Sequence, residues 1–163
     1  VKMDNGKELL VSKIANGTVI DHINASRSLI VLKILNIRGT EGFRIAIVMN
    51  APSTRMGKKD IVKLENYYPR DEDVQKISLI AQDATINIIK DYKVIKKYKV
   101  KIPKKIKGLL RCNNPTCITR KPDEQVTSTF TLINREKIMY QCDYCGSILT
   151  ENDIIKDLTG EMK

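Results

Sequence analysis

Apolar positions along the chain change period several times, and the changes mark its elements. In ELLVSKI (8–14) Leu9 and Val11 alternate, with Ile14 following after a step, which predicts a first strand. NGTVIDHI follows: Asn16-Gly17 is a turn signal, and Val19, Ile20 and Ile23 are apolar. ASRSLIVLKILNI is apolar at 29–32, 34 and 35, with a serine near its start suited to capping, and predicts a largely buried helix. FRIAIVMNA, rich in β-branched residues, predicts a buried strand. GKKDIVKLENYY predicts another, with Ile61 and Leu64 inward. DEDVQKISLIAQDA opens with acids, which suit a helix N-terminus, and continues with apolar residues at 74, 77, 80 and 81. TINIIKDYKVIKKYKV partly alternates and predicts one or two closing strands.

The first hundred residues thus run strand, helix, strand, strand, helix, strand. That is the order of a ferredoxin-like α/β sandwich. KIPKKIKGLLRC, with Pro103 and several lysines, reads as a hinge into a second, smaller module. The predicted class is α+β: a ferredoxin-like domain over 1–102 and a small all-β, zinc-ribbon-like domain over 103–163. TENDIIKDL, with Thr150 as cap, suits a short terminal helix. The longest apolar runs, LIVL and IAIVM, are far shorter than a membrane span. The opening VKMDNGKELL is charged throughout and has no signal-peptide core, so the sequence predicts a cytoplasmic protein.

Charge divides the chain in the same place. The net charge is +10 over 163 residues. Residues 1–102 hold 19 Lys and Arg against 11 Asp and Glu, and residues 103–163 hold 10 against 8. The excess therefore belongs to the first part, where it suits an anionic partner such as nucleotide phosphates. A charge run is most often a solvated face, and that reading covers most of these lysines. Two or three converging on one pocket would hold a triphosphate through charge-assisted hydrogen bonds.

All four cysteines fall in the last third: Cys112 and Cys117 as C-x4-C, then Cys142 and Cys145 as C-x2-C. Two close thiol pairs are what a tetrahedral zinc ion requires. CNNPTC supplies turn residues, and Gly146 after CDYC can take a left-handed conformation. Disulfides do not suit a reducing compartment, and a thioredoxin-like pair needs no second pair. Four cysteine ligands close the coordination shell, which makes the zinc a structural staple for a segment too short to bury a large core. Four thiolates and Zn²⁺ carry −2, so the module is near neutral and poorly charged for nucleic acid. A protein-facing role fits better.

Catalytic motifs are scarce. There is no Walker loop, no nucleophile elbow and no G-x-G-x-x-G. The one histidine, His22, follows Asp21. Such a pair more often has a structural or ligand-contacting role than a catalytic one. On residues alone, three readings stand: an anion-binding regulatory module, a zinc-bearing nucleic-acid binder, and a small enzyme using Asp21 and His22.

Four stretches occur together and in order: GTVIDHI (17–23), MGKKDIVKLEN (56–66), ATINIIKDYKVIKK (84–97) and CNNPTCI…CDYC. In this combination the chain resembles the regulatory chains of aspartate carbamoyltransferase, from about residue 9 to about residue 150. The resemblance implies a non-catalytic subunit acting in pyrimidine biosynthesis. Its N-terminal domain would bind CTP as feedback inhibitor and ATP as activator, with UTP often joining CTP. Its zinc domain would dock on the catalytic chain. Regulatory chains would pair through their N-terminal domains, three pairs linking two catalytic trimers.

Carried over motif by motif, the resemblance implies these roles. Val11 and Ile14 line the base pocket, and Val19 lies against the nucleotide. Asp21 contacts the ribose and His22 the phosphates. Lys59 and Lys63 serve phosphate and ribose or base. Asn87 belongs to the same site, and the backbone at Tyr92 and Val94 reads the base edge. Lys97 holds the triphosphate, with Lys96 beside it able to share that role. Cys112, Cys117, Cys142 and Cys145 hold the zinc. The basic segment KYKVKIPKKIKG, the loop NIRGTEG and the tail KDLTGEMK depart from the family's pattern.

Overall fold

The computed structural model describes residues 13–160. The chain divides into two compact units between Lys101 and Ile102. No helix among the described residues is long and apolar enough to cross a membrane.

The first unit runs β1 (Gly17–Asn24), α1 (Ser28–Ile34), β2 (Ile45–Ser53), β3 (Gly57–Glu65), α2 (Asp71–Ile80), β4 (Thr85–Lys90) and β5 (Lys93–Lys99). Its antiparallel sheet has the order β2-β3-β1-β4-β5. The first four strands give the ferredoxin-like topology, and β5 extends it as a hairpin. That hairpin turns on Asp91 and Tyr92, both with positive φ, a geometry that matches the right-handed twist of the flanking strands. Alternation sorts the residues of β3: Asp60, Val62 and Leu64 share one face, and Lys59, Ile61 and Lys63 the other. α1 packs on β3 and on α2, and the core between them includes Ile20, Val31, Leu64, Ile77 and Ile86.

Gly17 opens β1 with φ +140°, and a Cβ there would stand 2.1 Å from the Leu64 carbonyl oxygen. Only glycine lets β1 run this close to β3. Further along, both neighbours of β3 bulge. β1 carries an extra residue between Ile20 and Ile23, and β2 one between Val48 and Ala51. His22 and Asn50 take positive φ inside these bulges.

Several expectations need correction. The first strand expected over 8–14 falls mostly outside the described residues, and its last two, Lys13 and Ile14, are not in a strand. β2 is not a buried strand but the sheet's edge, with Ile47 37% and Met49 39% exposed. Its β-branched composition reports strand propensity and does not distinguish edge from centre. α1 is not capped by a serine side chain. The buried Asp60 carboxylate accepts from the Ser28 N–H at 3.0 Å instead, a contact from 32 residues away. Of the expected hinge, residues 105–107 form a strand of the second unit, with Ile106 fully buried.

The second unit holds a four-stranded sheet, β6 (Lys105–Lys107), β7 (Thr129–Asn134), β8 (Met139–Cys142) and β9 (Ile148–Thr150), in sequence order. Ile106, Phe130, Tyr140, Leu149 and Ile154 form its small core. The buried Tyr140 hydroxyl donates to the Pro103 carbonyl at 2.6 Å. α3 (Glu151–Leu158) follows with Thr150 as N-cap, in a capping box with Asp153.

Candidate functional site

Cross-strand pairing places Lys63, Val19, Asn87 and Lys97 in one row over β3, β1, β4 and β5. Residues directly opposite in an antiparallel pair share a face, so these four stand together on the face opposite α1. The row beside it brings Ile89 opposite Val94. Ile14, Val19, Ile61 and Ile89 form one buried apolar cluster, with Val48 against it. This face therefore has an apolar floor bordered by amines.

The polar groups are fixed by local geometry. The β1 bulge turns the backbone at His22, whose N–H donates to the Asp21 carboxylate at 2.6 Å. Lys59 Nζ stands 3.0 Å from the same carboxylate. His22 Nδ1 lies 3.3 Å from the Thr85 hydroxyl. Asn87 donates its amide to the Val19 carbonyl at 3.2 Å, which orients the remaining amide oxygen. Burial lowers the His22 pKa below its ordinary value; Asp21 pulls it back up, and Lys59, Arg55 and Lys97 push it down. Lys63 is only 4% exposed, and burial, aided by the Lys13 ammonium, lowers it below the usual lysine range.

Among the expected residues, Ile14, Val19, Asp21, His22, Lys59, Lys63, Asn87, Val94 and Lys97 belong to this face. Val11 lies outside the described residues. Tyr92 is in the hairpin turn rather than the strand, and its N–H is already given to the Ala15 carbonyl. Lys96 pairs with Ile88, on the helix side, where its ammonium lies 5.1 Å from the Tyr98 ring centre near Asp71 and Val74 of α2. It cannot share a role with Lys97, because adjacent strand residues point to opposite faces. Lys13, Arg55 and Thr85 were missed. Arg55 precedes the GKKD stretch in the β2–β3 turn, and only the fold brings its charge to His22.

In the second unit the four cysteine sulfurs lie within 4.8 Å of one another. Cys112 and Cys145 are 3.5 Å apart, and Cys117 and Cys142 3.8 Å. A tetrahedron with Zn–S bonds of about 2.3 Å has edges of about 3.8 Å, so the spacing fits one such ion. Each pair sits on a hydrogen-bonded turn. Asn114 accepts at its side chain from the Thr116 N–H, and at its carbonyl from the Cys117 N–H. Gly146, with φ +80°, gives its N–H to the Cys142 carbonyl. Burial and neighbouring sulfurs push the Cys112 and Cys142 thiols up. Burial opposes ionisation of the exposed Cys145 too, but hydrogen bonds from Ser147, Asn114 and Cys112 bring it down to about 6. One thiolate forms readily, and a metal's charge ionises the others. The four cysteines are placed to hold one metal ion, and a full thiolate shell makes it structural.

Comparison with known proteins gives the same division. Residues 9–101 match the family model for the aspartate carbamoyltransferase regulatory chain, allosteric domain. Residues 104–155 match the one for its metal binding domain. The chain belongs to the family of aspartate carbamoyltransferase regulatory chains. It is a regulatory, non-catalytic chain. It is 52% identical to the Caldivirga maquilingensis aspartate carbamoyltransferase regulatory chain, over 95% of this chain and 94% of the relative. The Metallosphaera sedula protein of the same name is 53% identical over 93% and 96%. That of Sulfolobus acidocaldarius is 50% identical over 96% and 94%.

Proposed function

We propose that the lysine-bearing face of the first unit binds a nucleoside triphosphate, CTP or ATP, with UTP as a third candidate. Binding there biases a catalytic chain of aspartate carbamoyltransferase docked on the metal-bearing unit, and so regulates pyrimidine biosynthesis in the cytoplasm. The observation that carries this reading is the row Lys63, Val19, Asn87, Lys97, with Asp21, His22 and Lys59 beside it. The apolar floor suits a base, Asp21 accepts from ribose hydroxyls, and the amines with His22 meet the phosphates. The structural zinc holds the second unit in the shape the catalytic chain recognises. A nucleotide with different affinities for two quaternary states shifts their balance, typically by about 1–3 kcal/mol.

The edge strands supply the second partner. β5 ends the sheet with Lys93, Lys96, Lys97 and Lys99, which discourage edge pairing. β2 ends it with no charged residue over Ile45–Ser53 and with exposed Ile47 and Met49. A second regulatory chain pairs along this uncharged edge.

The test is calorimetric titration of the metal-loaded chain with CTP, ATP and UTP, beside a Lys97→Ala variant. Saturable binding, weakened about tenfold or more by the substitution, is expected for loss of one charge-assisted contact. Absence of binding by all three nucleotides would overturn the reading.

A further inference from the structure

Asp60 is fully buried, yet its side chain faces away from the amines of the proposed nucleotide site. Its Oδ1 accepts from the Asn50 N–H at 2.8 Å, inside the β2 bulge. Its Oδ2 accepts from the Ser28 N–H at 3.0 Å, at the start of α1. The Ser26 N–H, in the turn between β1 and α1, also bonds this carboxylate. Asp60 itself pairs with Ile23, the first residue after the β1 bulge. One carboxylate thus ties down the β2 bulge, the turn through which the chain leaves β1 and the start of α1 at Ser28. Burial disfavours its charge, but the three backbone donors outweigh that and hold its pKa below the usual carboxylate value.

We infer that Asp60 is a positioning residue for the nucleotide site, holding the β2 bulge and the turn that ends β1 so that Asp21, His22 and Lys59 meet on one face. The link is short. Lys59 precedes Asp60 on β3 and reaches across to Asp21, and His22 lies inside the bulge that ends opposite Asp60. A bulge aims a side chain only while its backbone is anchored. Without the Asp60 anchor, the His22 φ of 57° has less to hold it, because left-handed backbone costs energy for a residue with a Cβ even where histidine enters it more readily than most. The binding part of this inference rests on the nucleotide reading above. The geometric part does not.

The test is Asp60→Asn in the metal-loaded full chain. Asparagine keeps one acceptor for the Asn50 N–H and cannot accept from Ser28 through its amide nitrogen. The chain has a single histidine, so its ring NMR signals need no assignment. Asp21, Lys59, Arg55 and Lys97 are the charged groups that act on that ring, beside the Thr85 hydroxyl. In Asp60→Asn the His22 titration midpoint moves up towards the ordinary histidine value as the ring leaves its half-buried place. CTP affinity falls about tenfold, the scale of one lost charged hydrogen bond, and its pH dependence flattens. A purely structural Asp60 would lower the melting temperature and leave the midpoint, the affinity and the pH dependence of the folded protein unchanged, which overturns the inference. If the unsubstituted chain binds no nucleotide, the proposed function fails, while the His22 midpoint still decides the positioning role. If Asp60→Asn does not fold, Asn50→Ala keeps the N–H that bonds Asp60 but makes the bulge's φ of 58° costlier, and so strains the same anchor. It should move the midpoint in the same direction by less, and no movement would overturn the inference.

Discussion

The first unit lays two helices on a five-stranded sheet and fills the layer between with side chains such as Ile20, Ile23, Leu64, Ile77 and Ile86. The second unit has four short strands, α3 of about two turns, a short 3-10 turn over Ile118–Arg120, and a core of Phe130, Tyr140, Leu149, Ile106 and Ile154. Cys142 pairs with Phe130 of that core, and the four thiols lie within 4.8 Å of one another. Both units keep a precise shape, but the forces differ. Area buried from water dominates in the first, and metal–sulfur bonds supplement it in the second. Shape in the first unit is spread over many contacts. In the second it is concentrated in one ion, so the two should fail under different insults.

The largest expected effect follows from that contrast. Chelating the metal, or replacing Cys142 by serine, should unfold the second unit. Structural zinc contributes about 10–16 kcal/mol of apparent folding free energy in zinc-finger peptides at neutral pH. Amide exchange of the full chain should show lost protection around Phe130 and Tyr140, with the signals of β1, β3 and β4 retained. Loss of protection in both units together would show that they do not fold independently. The converse insult is smaller. Ile86→Ala leaves a cavity in a fully buried place and should cost about 2–5 kcal/mol in denaturant unfolding of the first unit. The metal content should not change.

Titration of His22 is the smallest of these effects and the most specific. Its folded pKa lies below the ordinary 6.5, so the unfolded chain binds more protons in the interval between the two values. The sign follows: this group's contribution to stability is lost as pH falls from 6.5 through the folded value. Nucleotide affinity should run the opposite way. The protonated ring attracts a triphosphate, and bound phosphates raise its pKa, so affinity is highest below the free value and falls as pH rises towards the bound one. His22→Gln should remove this slope and leave only that of the terminal phosphate itself. An unchanged slope in His22→Gln would exclude the histidine from the phosphate contact.

Period and punctuation made much of the fold readable. α1, β3 and α2 follow from apolar spacing, and the order of elements implied the ferredoxin-like sheet, although β1 lies at 17–24 rather than in the 8–14 stretch expected to open it. The metal site was readable because ligand type and spacing nearly suffice for tetrahedral thiolate coordination. What stayed hidden depends on pairing. Nothing local distinguishes an edge strand such as β2 from a central one, since both favour β-branched residues. The bulges at His22 and Asn50 arise from mismatch between neighbouring strands and leave no local mark. Lys96 and Lys97 differ only in face, which the register of β5 decides through its own bulge at Ile95. Asp60 caps α1 from 32 residues away. Tyr92 fell into the turn because Asp91 and Tyr92 together close the β4–β5 hairpin.

Under the proposed function, effector binding belongs to the first unit and metal-dependent shape to the second. It is tested most directly by titrating the full chain with CTP by calorimetry, before and after the metal is removed by a chelator. Saturable binding is expected, with a dissociation constant that changes by less than about threefold on metal removal, because no residue of the proposed site lies in the metal-bearing unit. Binding that disappears with the metal, or that is absent even from the metal-loaded chain, would contradict it.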